Sequence, residues 1–237
     1  MADRADAVLF DLDNTLVDDD YATRAGLRAF HGVYGSELGW PFEILLDYWR
    51  QLLDVYYPQY LTGALSLAEH RRKRVLDLFR LAGRELTPAE ADAAFAVYRA
   101  EYARSWRLFP EVTAALDALR GHRMAVLTNG SLESQGEKMA ASGLTGYFEN
   151  LYASADLGVA KPSAAVFWKV CERMGVEPSR CVHVGDRLDV DARGAQAAGL
   201  RSVWLNRSKT AGADASAYDG ITIRTLLELV PLLQGST

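Results

Sequence analysis

Residues 7–16 read AVLFDLDNTL, an apolar run that passes directly into two acids, an asparagine and a threonine. A strand that a parallel sheet covers on both faces is continuously apolar, so the run predicts a buried strand over Ala7–Phe10. Similar apolar runs predict further strands at Met124–Leu127, Cys181–Val184 and Arg201–Leu205, with a weaker one at Leu151–Ser154.

Helical patterns separate these runs. They cover Glu111–Arg120, Leu132–Ser142, Ala164–Met174 and Asp191–Ala198. Strands that alternate with helices of this length predict βαβ units and a parallel sheet, and therefore the α/β class. Ligands of such sheets bind beyond the carboxyl ends of the strands, and several of the predicted strands end in polar residues.

The segment from residue 18 to residue 108 has a different pattern and contains no good strand. Its helical stretches are Tyr21–Tyr34, Phe42–Tyr56, Ser66–Ala82 and Pro88–Trp106. Before the last of these, Thr87 is predicted to be the N-cap, with Glu90 three residues later as its capping partner. We therefore predict two domains, a core of residues 1–17 and 109–237 and an all-helical insert of residues 18–108.

The composition is that of an ordinary globular protein, with 237 residues and a net charge of −5. A negative net charge argues against a nucleic-acid partner, because a protein that binds the phosphate backbone needs a basic surface. No apolar run has transmembrane length, and the N-terminus has acids where a signal peptide needs bases, so we expect a cytoplasmic protein without a membrane partner. The two cysteines, Cys171 and Cys181, predict buried free thiols.

Asp11 and Asp13 are the first candidate catalytic residues. Residues two apart in an extended segment point to the same side, so both carboxylates face one space at the end of the strand. Two close carboxylates repel each other unless they share a cation or a proton. One can then act as a nucleophile while the other holds or passes a proton. The alternative is that these acids cap a helix or form a turn.

Two loops contain groups that suit phosphate. In Thr128-Asn129-Gly130, a hydroxyl, an amide and backbone N–H groups near a helix start can hold phosphate oxygens, although the same residues also form ordinary turns. Lys161 precedes Pro162, which blocks helix at the lysine and suits the first turn of the next helix. A lysine fixed there can neutralise a phosphoryl group, and the alternative is an exposed lysine.

Acids follow the strand at Cys181–Val184. Asp186 is placed to share a cation with Asp11, and magnesium prefers such carboxylate ligands. Asp189 and Asp191 have an alternative role, because acids stabilise the N-terminus of a helix electrostatically.

Together these motifs resemble the haloacid dehalogenase superfamily of phosphohydrolases. The family's motifs Asp-x-Asp-x-Thr-Leu, a strand-ending Thr or Ser, Gly-x-x-Lys-Pro and Gly-Asp-x4-Asp match Asp11 to Leu16, Thr128, Lys161, and Gly185, Asp186 and Asp191. Order and spacing agree over essentially the whole chain. The resemblance implies a Rossmann-like core with a mobile helical cap, and residues 127–130 are most similar to the nucleotidase and acyl-sugar-phosphate phosphatase branch.

The resemblance also implies roles for the matched residues. Asp11 attacks the phosphorus, and Asp13 protonates the leaving oxygen and then activates water. The phosphoryl oxygens are held by Thr128, Lys161, Asn129 and the backbone amides of Leu12 and Gly130. Mg²⁺ is bound by the carboxylates of Asp11 and Asp186 and by the backbone carbonyl oxygen of Asp13. Asp191 orients this site without binding the ion directly. This implies a phosphatase whose partner is a small phosphorylated metabolite, in a monomer or homodimer.

The family contains other chemistries. Similar dehalogenases lack an acid at the position of Asp13, and phosphonatases need a lysine in the cap, where this chain has only Lys73. A sugar phosphomutase and a non-catalytic regulator of the same fold are the alternatives that stay open.

A lid inserted after the first strand would exclude proteins and long duplexes, so we expect nucleoside or sugar monophosphates as substrates.

Two features of the insert bear on the substrate. The aromatic residues Trp40, Tyr48, Trp49, Tyr56, Tyr57 and Tyr60 either stack on a ring or form a core. The run from Glu69 to Arg74 is basic, and Arg71 and Arg74 share one helix face. That face either binds the substrate or is solvated.

Overall fold

The computed structural model describes residues 5–207 and 218–234. The chain divides into two compact units, Met1–Asp18 with Leu108–Thr237 and the continuous segment Asp19–Arg107. Among the described residues, no helix is both long enough and apolar enough to span a bilayer. The sequence also predicts a frayed tail at residues 235–237, which lie outside the described residues.

The first unit is built on a parallel sheet of six strands in the order β3-β2-β1-β4-β5-β6. The strands are β1 (Ala7–Phe10), β2 (Arg123–Thr128), β3 (Asn150–Ala153), β4 (Cys181–Gly185), β5 (Arg201–Leu205) and β6 (Ile221–Ile223). The predicted α/β class and the five predicted strands are confirmed, with bounds that agree within one residue. The β6 strand was not predicted.

Helices connect the strands of this unit. Their numbering begins at five, because the first four helices of the chain lie in the second unit. They are α5 (Val112–Ala118), α6 (Leu132–Ala141), α7 (Ser154–Leu157), α8 (Ala164–Met174), α9 (Arg193–Ala197) and α10 (Leu229–Gln234). Shorter turns are 3₁₀-helical at Pro178–Arg180 and Leu226–Glu228 and π-helical at Leu188–Ala192. The helix predicted over Asp191–Ala198 therefore begins within the π-helical turn rather than as an α-helix.

One face of the sheet packs against α8. The core there contains Leu9 of β1 and Leu127 of β2, together with Phe167 and Val170 of α8, all fully buried. Cys171 and Cys181 belong to the same core and are free and buried, as predicted. Because β1 lies between β2 and β4 in this packed sheet, the loops that follow these three strands begin at the same edge.

The second unit contains four helices, α1 (Asp19–Leu38), α2 (Phe42–Leu61), α3 (Leu67–Leu81) and α4 (Pro88–Arg104). Capping boxes begin α3 at Ser66 and, as predicted, α4 at Thr87. Phe30, Trp49 and Phe79 form the centre of its core. Of the aromatic residues considered for ring stacking, Trp49 is therefore a core residue, with 1% of its surface exposed.

Candidate active site

The register of the sheet brings the candidate residues to one edge. Phe10 lies opposite Val126 of β2 and Val184 of β4, so the loops after these positions are neighbours. The amide of Asp11 donates to the carbonyl of Val184 over 2.9 Å, which extends the ladder by one residue. The side chain of Asp11 therefore starts from a fixed backbone at the end of the central strand.

Lys161 connects two buried carboxylates at this edge. Its Nζ lies 2.6 Å from Oδ1 of Asp11 and 2.7 Å from Oδ1 of Asp191, and it also donates to the carbonyl of Leu127 over 2.8 Å. The lysine side chain is almost completely inaccessible to solvent. The alternative of an exposed lysine is therefore wrong.

The side chain of Asn129 holds the backbone of Lys161. Its Nδ2 donates to the carbonyl of Lys161 over 2.9 Å, and its Oδ1 accepts from the amide of Lys161 over 3.0 Å. These two bonds fix the loop that carries the ammonium. The amide of Asn129 is thus engaged with this loop, a positioning contact that its sequence context did not indicate.

Asp191 is held from several sides. Its Oδ1 also lies 3.2 Å from Nε2 of His183, and its Oδ2 accepts from the amide of Arg187 over 3.1 Å. Gly185 permits this packing, because a Cβ atom there would lie 2.3 Å from Cγ of Asp191. Asp191 itself lies in the π-helical turn, a distortion that is frequent at functional sites.

Asp13 contacts a part of the molecule that the sequence did not indicate. Its carboxylate forms an ion pair with Lys138 and accepts a hydrogen bond from Nε2 of Gln135 over 3.1 Å. Both partners lie on α6, three residues apart and therefore on one face, and both are buried. That spacing is the only sequence signal that could have identified them.

The remaining predicted phosphate ligands lie close in the chain to these groups. Thr128 is the last residue of β2 and is 1% exposed, and Leu12 is fully buried. The amide of Gly130 donates to Oγ of Ser154 over 3.3 Å. Asp189 does not join the cluster, since it is exposed and pairs with Arg187.

Carboxylate oxygens of Asp11, Asp186 and Asp191 lie within 4.8 Å of one another. Oxygen atoms are the ligands that Mg²⁺ prefers. Asp191 is already bonded to Lys161 and His183, whereas the carboxylate of Asp186 has no hydrogen bond or ion pair among the described residues. Asp11 and Asp186 therefore fit a magnesium ion best, and the side chain of Asp13 is engaged with α6.

The electrostatics of the cluster favour a cation. Burial, reinforced by the neighbouring negative charges, raises the pKa of Asp11 to about 7 and that of Asp186 to about 8. Burial alone would oppose the charge on Lys161, but Asp11 and Asp191 outweigh it and raise the lysine pKa. Burial likewise opposes the charge on Asp191, but Lys161 and His183 hold its pKa well below the usual range. A single ammonium thus leaves negative charge uncompensated.

Comparison with known proteins identifies a family. The family model described as a haloacid dehalogenase-like hydrolase matches residues 5–199. Human N-acylneuraminate-9-phosphatase is 30% identical over 98% of this chain and 94% of its own. A crystal structure of a putative HAD-hydrolase from Bacillus subtilis bound to magnesium has a TM-score of 0.81 at 24% identity and covers 98% of this chain and 100% of that one. A 2-haloacid dehalogenase from Pseudomonas syringae has a TM-score of 0.68 at 29% identity, with the same coverage.

Proposed function

The chain belongs to the haloacid dehalogenase-like hydrolase family as a phosphatase, and we propose that it hydrolyses small phosphorylated metabolites with Mg²⁺, through an aspartyl-phosphate on Asp11. The arrangement that supports this most directly is the carboxylate of Asp11 at the end of β1, with Lys161 at 2.6 Å and Asp186 beside it. This arrangement provides a nucleophile, a fixed cation and a carboxylate that needs a second cation.

Asp11 is the nucleophile. One of its oxygens attacks the phosphorus, and the bond from phosphorus to the leaving oxygen breaks as the new bond forms. Burial favours the protonated, unreactive carboxyl, so the nearby ammonium of Lys161 is needed to favour the carboxylate. Mg²⁺ bound by Asp11 and Asp186 would supply further positive charge for the phosphoryl oxygens.

Asp13 is the acid and base. It gives a proton to the leaving oxygen in the first step and takes a proton from the water that cleaves the aspartyl-phosphate. Lys138 and Gln135 hold its carboxylate from the α6 side. Its backbone carbonyl, rather than its side chain, is assigned to the magnesium ion.

The phosphoryl oxygens are stabilised by fixed donors. Lys161 contributes the charge, Thr128 its hydroxyl, and the loop after β1 the amide of Leu12. The amide of Gly130 already donates to Oγ of Ser154, so it holds the loop after β2 instead. Asn129 acts through the backbone of Lys161, which it holds with two hydrogen bonds. Because these donors are fixed before the substrate binds, little reorganisation is needed during the reaction.

The second unit is proposed to select the substrate. Its sequence is inserted directly after the segment that carries Asp11 and Asp13, since the unit begins at Asp19. A helical domain at this point of the chain supports a cap for a small molecule, with nucleoside or sugar monophosphates favoured.

Dehalogenation is the competing activity, because the Pseudomonas syringae structure is a 2-haloacid dehalogenase. Displacing a halide from carbon requires no proton for the leaving group. The presence of Asp13, held by a buried lysine, favours the phosphatase, which needs an acid for an alkoxide leaving group.

A substrate panel tests the proposal. Phosphate release from N-acylneuraminate 9-phosphate, nucleoside monophosphates, sugar phosphates and a phosphopeptide is compared with halide release from 2-chloropropionate, each with Mg²⁺ and with EDTA. We expect magnesium-dependent hydrolysis of at least one metabolite. Halide release without phosphate release would contradict the proposal, and a phosphopeptide as the best substrate would contradict the substrate class.

A further inference from the structure

Arg74 is buried in the second unit without an acidic partner. It lies on α3 and is 5% exposed, and its Nε has no hydrogen-bond partner. Its guanidinium carbon lies 4.2 Å from the ring centroid of Trp49, and Trp49 is a core residue. No described carboxylate forms an ion pair with it. A cation–π contact supplies attraction but does not neutralise the charge.

Arg71 lies one turn before Arg74 on the same face of α3. Its guanidinium is 5.4 Å from the ring centroid of Phe95, and it too lacks an ion pair with any described residue. Burial is the main reason that the pKa of Arg74 falls to about 10, and the positive charge of Arg71 contributes to the same fall. The two arginines therefore present partly desolvated positive charge that no described acid compensates.

The neighbouring Arg72, in contrast, has an acidic partner on the adjacent helix. Its guanidinium makes two hydrogen bonds to Asp92 of α4, of 2.8 and 2.6 Å. Arg72 is thus paired, whereas the buried Arg74 and the half-buried Arg71 are not.

His70 adds an acceptor to the same face. Its Nδ1 donates to the carbonyl of Leu67 over 3.1 Å, so its Nε2 has a free lone pair and is a buried atom without a partner. Burial is the main cause that lowers the pKa of His70 to about 4, and the charges of Arg74 and Arg71 contribute to this shift, so the ring is neutral near pH 7. Two cations and one acceptor match an anionic group that stands next to a hydroxyl.

We propose that Arg71 and Arg74 form an anion-binding site within the second unit. Its ligand carries a carboxylate or phosphate next to a hydroxyl, and the hydroxyl donates a hydrogen bond to Nε2 of His70. The two arginines supply the charge and His70 orients the ligand. The site stands on contacts within the second unit and does not depend on the proposed hydrolysis. The anion belongs either to the substrate, beyond the phosphate that is cleaved, or to a separate metabolite.

Binding is tested on the full chain in EDTA at constant ionic strength, with malonate as the probe and intrinsic fluorescence as the readout. Trp49 lies under Arg74, so we expect a saturable signal that the variant Trp49→Phe loses. Arg71→Gln should weaken the apparent affinity about tenfold or more, because it removes a charge-assisted contact. The matched control Arg72→Gln, which removes a half-buried arginine that is paired with Asp92, should stay within about twofold.

Arg74→Lys guards against a folding defect, because it keeps the charge at the buried position while losing the guanidinium geometry. It should bind malonate more weakly than wild type and remain folded by circular dichroism. A wild-type chain that does not bind malonate, or equal binding by wild type and Arg71→Gln, would overturn the site.

Kinetics distinguish the two sources of the anion. 3-Phosphoglycerate and glycerol 3-phosphate share a phosphate ester and differ in having a carboxylate or a hydroxymethyl group. If the anion is part of the substrate, Arg71→Gln lowers kcat/KM for the first by about tenfold and spares the second. If it is a separate metabolite, malonate changes kcat/KM for both substrates, and this change is lost in Arg71→Gln. Both patterns uphold the site.

Discussion

Nζ of Lys161 lies 2.6 Å from Oδ1 of Asp11, in a position where neither group is open to solvent. The same ammonium is 2.7 Å from Asp191, so one positive charge is shared by two carboxylates. The ammonium offsets only part of the effect of burial, which still raises the pKa of Asp11 to about 7. The carboxylate of Asp186 beside this pair has no ion pair among the described residues, which is why we propose that it holds a second cation.

Replacing Lys161 should damage the proposed reaction. Lys161→Met should lower kcat/KM by about a thousandfold, because it removes the fixed charge from the transferring group. Lys161→Arg should recover part of the activity, since the guanidinium differs in size and geometry. The control is Lys73→Met at an exposed lysine. Near-normal kinetics in Lys161→Met would exclude the lysine from catalysis.

Gly185→Ala should disturb Asp191, although no functional group is changed. The added Cβ would lie 2.3 Å from Cγ of Asp191 and force the carboxylate away from Lys161. We expect a loss of about 1–3 kcal/mol in the free energy of unfolding, as in other overpacked sites, together with a fall in kcat. Urea denaturation and steady-state kinetics measure the two effects.

Gly121→Ala is the matched control for this substitution, because a Cβ there meets nothing within 4 Å. It should leave kcat unchanged and alter stability only slightly. Equal effects of the two alanine substitutions would show that the close approach of Asp191 to Gly185 has no consequence.

The metal-free protein should lose stability as pH rises. The pKa of Asp186 is raised to about 8, mainly by burial, so the folded chain holds this proton more tightly than the unfolded chain does. The free energy of unfolding therefore falls as pH rises from about 4 to about 8. In EDTA at pH 8, Asp186→Asn should raise Tm by about 3 °C or more, because it removes the buried charge.

Magnesium should reverse this loss in wild type, with a larger rise in Tm at pH 8 than at pH 6, and should have little effect on Asp186→Asn. Asp189→Asn is the control in the same loop, since Asp189 is exposed and pairs with Arg187. It should respond to magnesium as wild type does. A magnesium effect on Tm that is independent of pH, or that survives in Asp186→Asn, would contradict the assignment of the metal ligands.

Lys138 should act through Asp13, with which it pairs. Lys138→Met should lower kcat for an alkyl phosphate by about tenfold or more and for p-nitrophenyl phosphate much less, because an aryl leaving group needs little protonation. Glu133→Gln, at an exposed position of the same helix, is the control. Equal losses on both substrates would mean that Lys138 has only a structural role.

The sheet could be predicted from the sequence because its central strands are continuous apolar runs. The bounds of β1 and β5 are those predicted, and the candidate residues lie at the ends of β1, β2 and β4 or in the segments that follow them, except Lys161, which lies between α7 and α8. The β6 strand could not be found in this way. It has three residues at the edge of the sheet, and Ile221 and Thr222 are exposed, so the apolar run that marks a buried strand is missing.

The residues that hold the site were harder to predict. A lysine in a helix normally indicates an exposed face, yet Lys138 is buried because it meets Asp13, which is 125 residues away in the chain. His183 lies within the apolar run of β4, and its partner Asp191 is placed by a π-helical turn. Such contacts depend on the packing of distant elements, which local patterns do not contain.

The most direct test is to trap the phosphoryl group on Asp11. Wild-type enzyme is quenched in acid during turnover, the acyl phosphate is reduced with borohydride, and the modified residue is located by mass spectrometry, with Asp11→Asn and Asp189→Asn as paired controls. We predict homoserine at residue 11 in wild type and in Asp189→Asn, none in Asp11→Asn, and a loss of turnover only in Asp11→Asn. Reduction at another residue, or turnover by Asp11→Asn at the wild-type rate, would contradict the account.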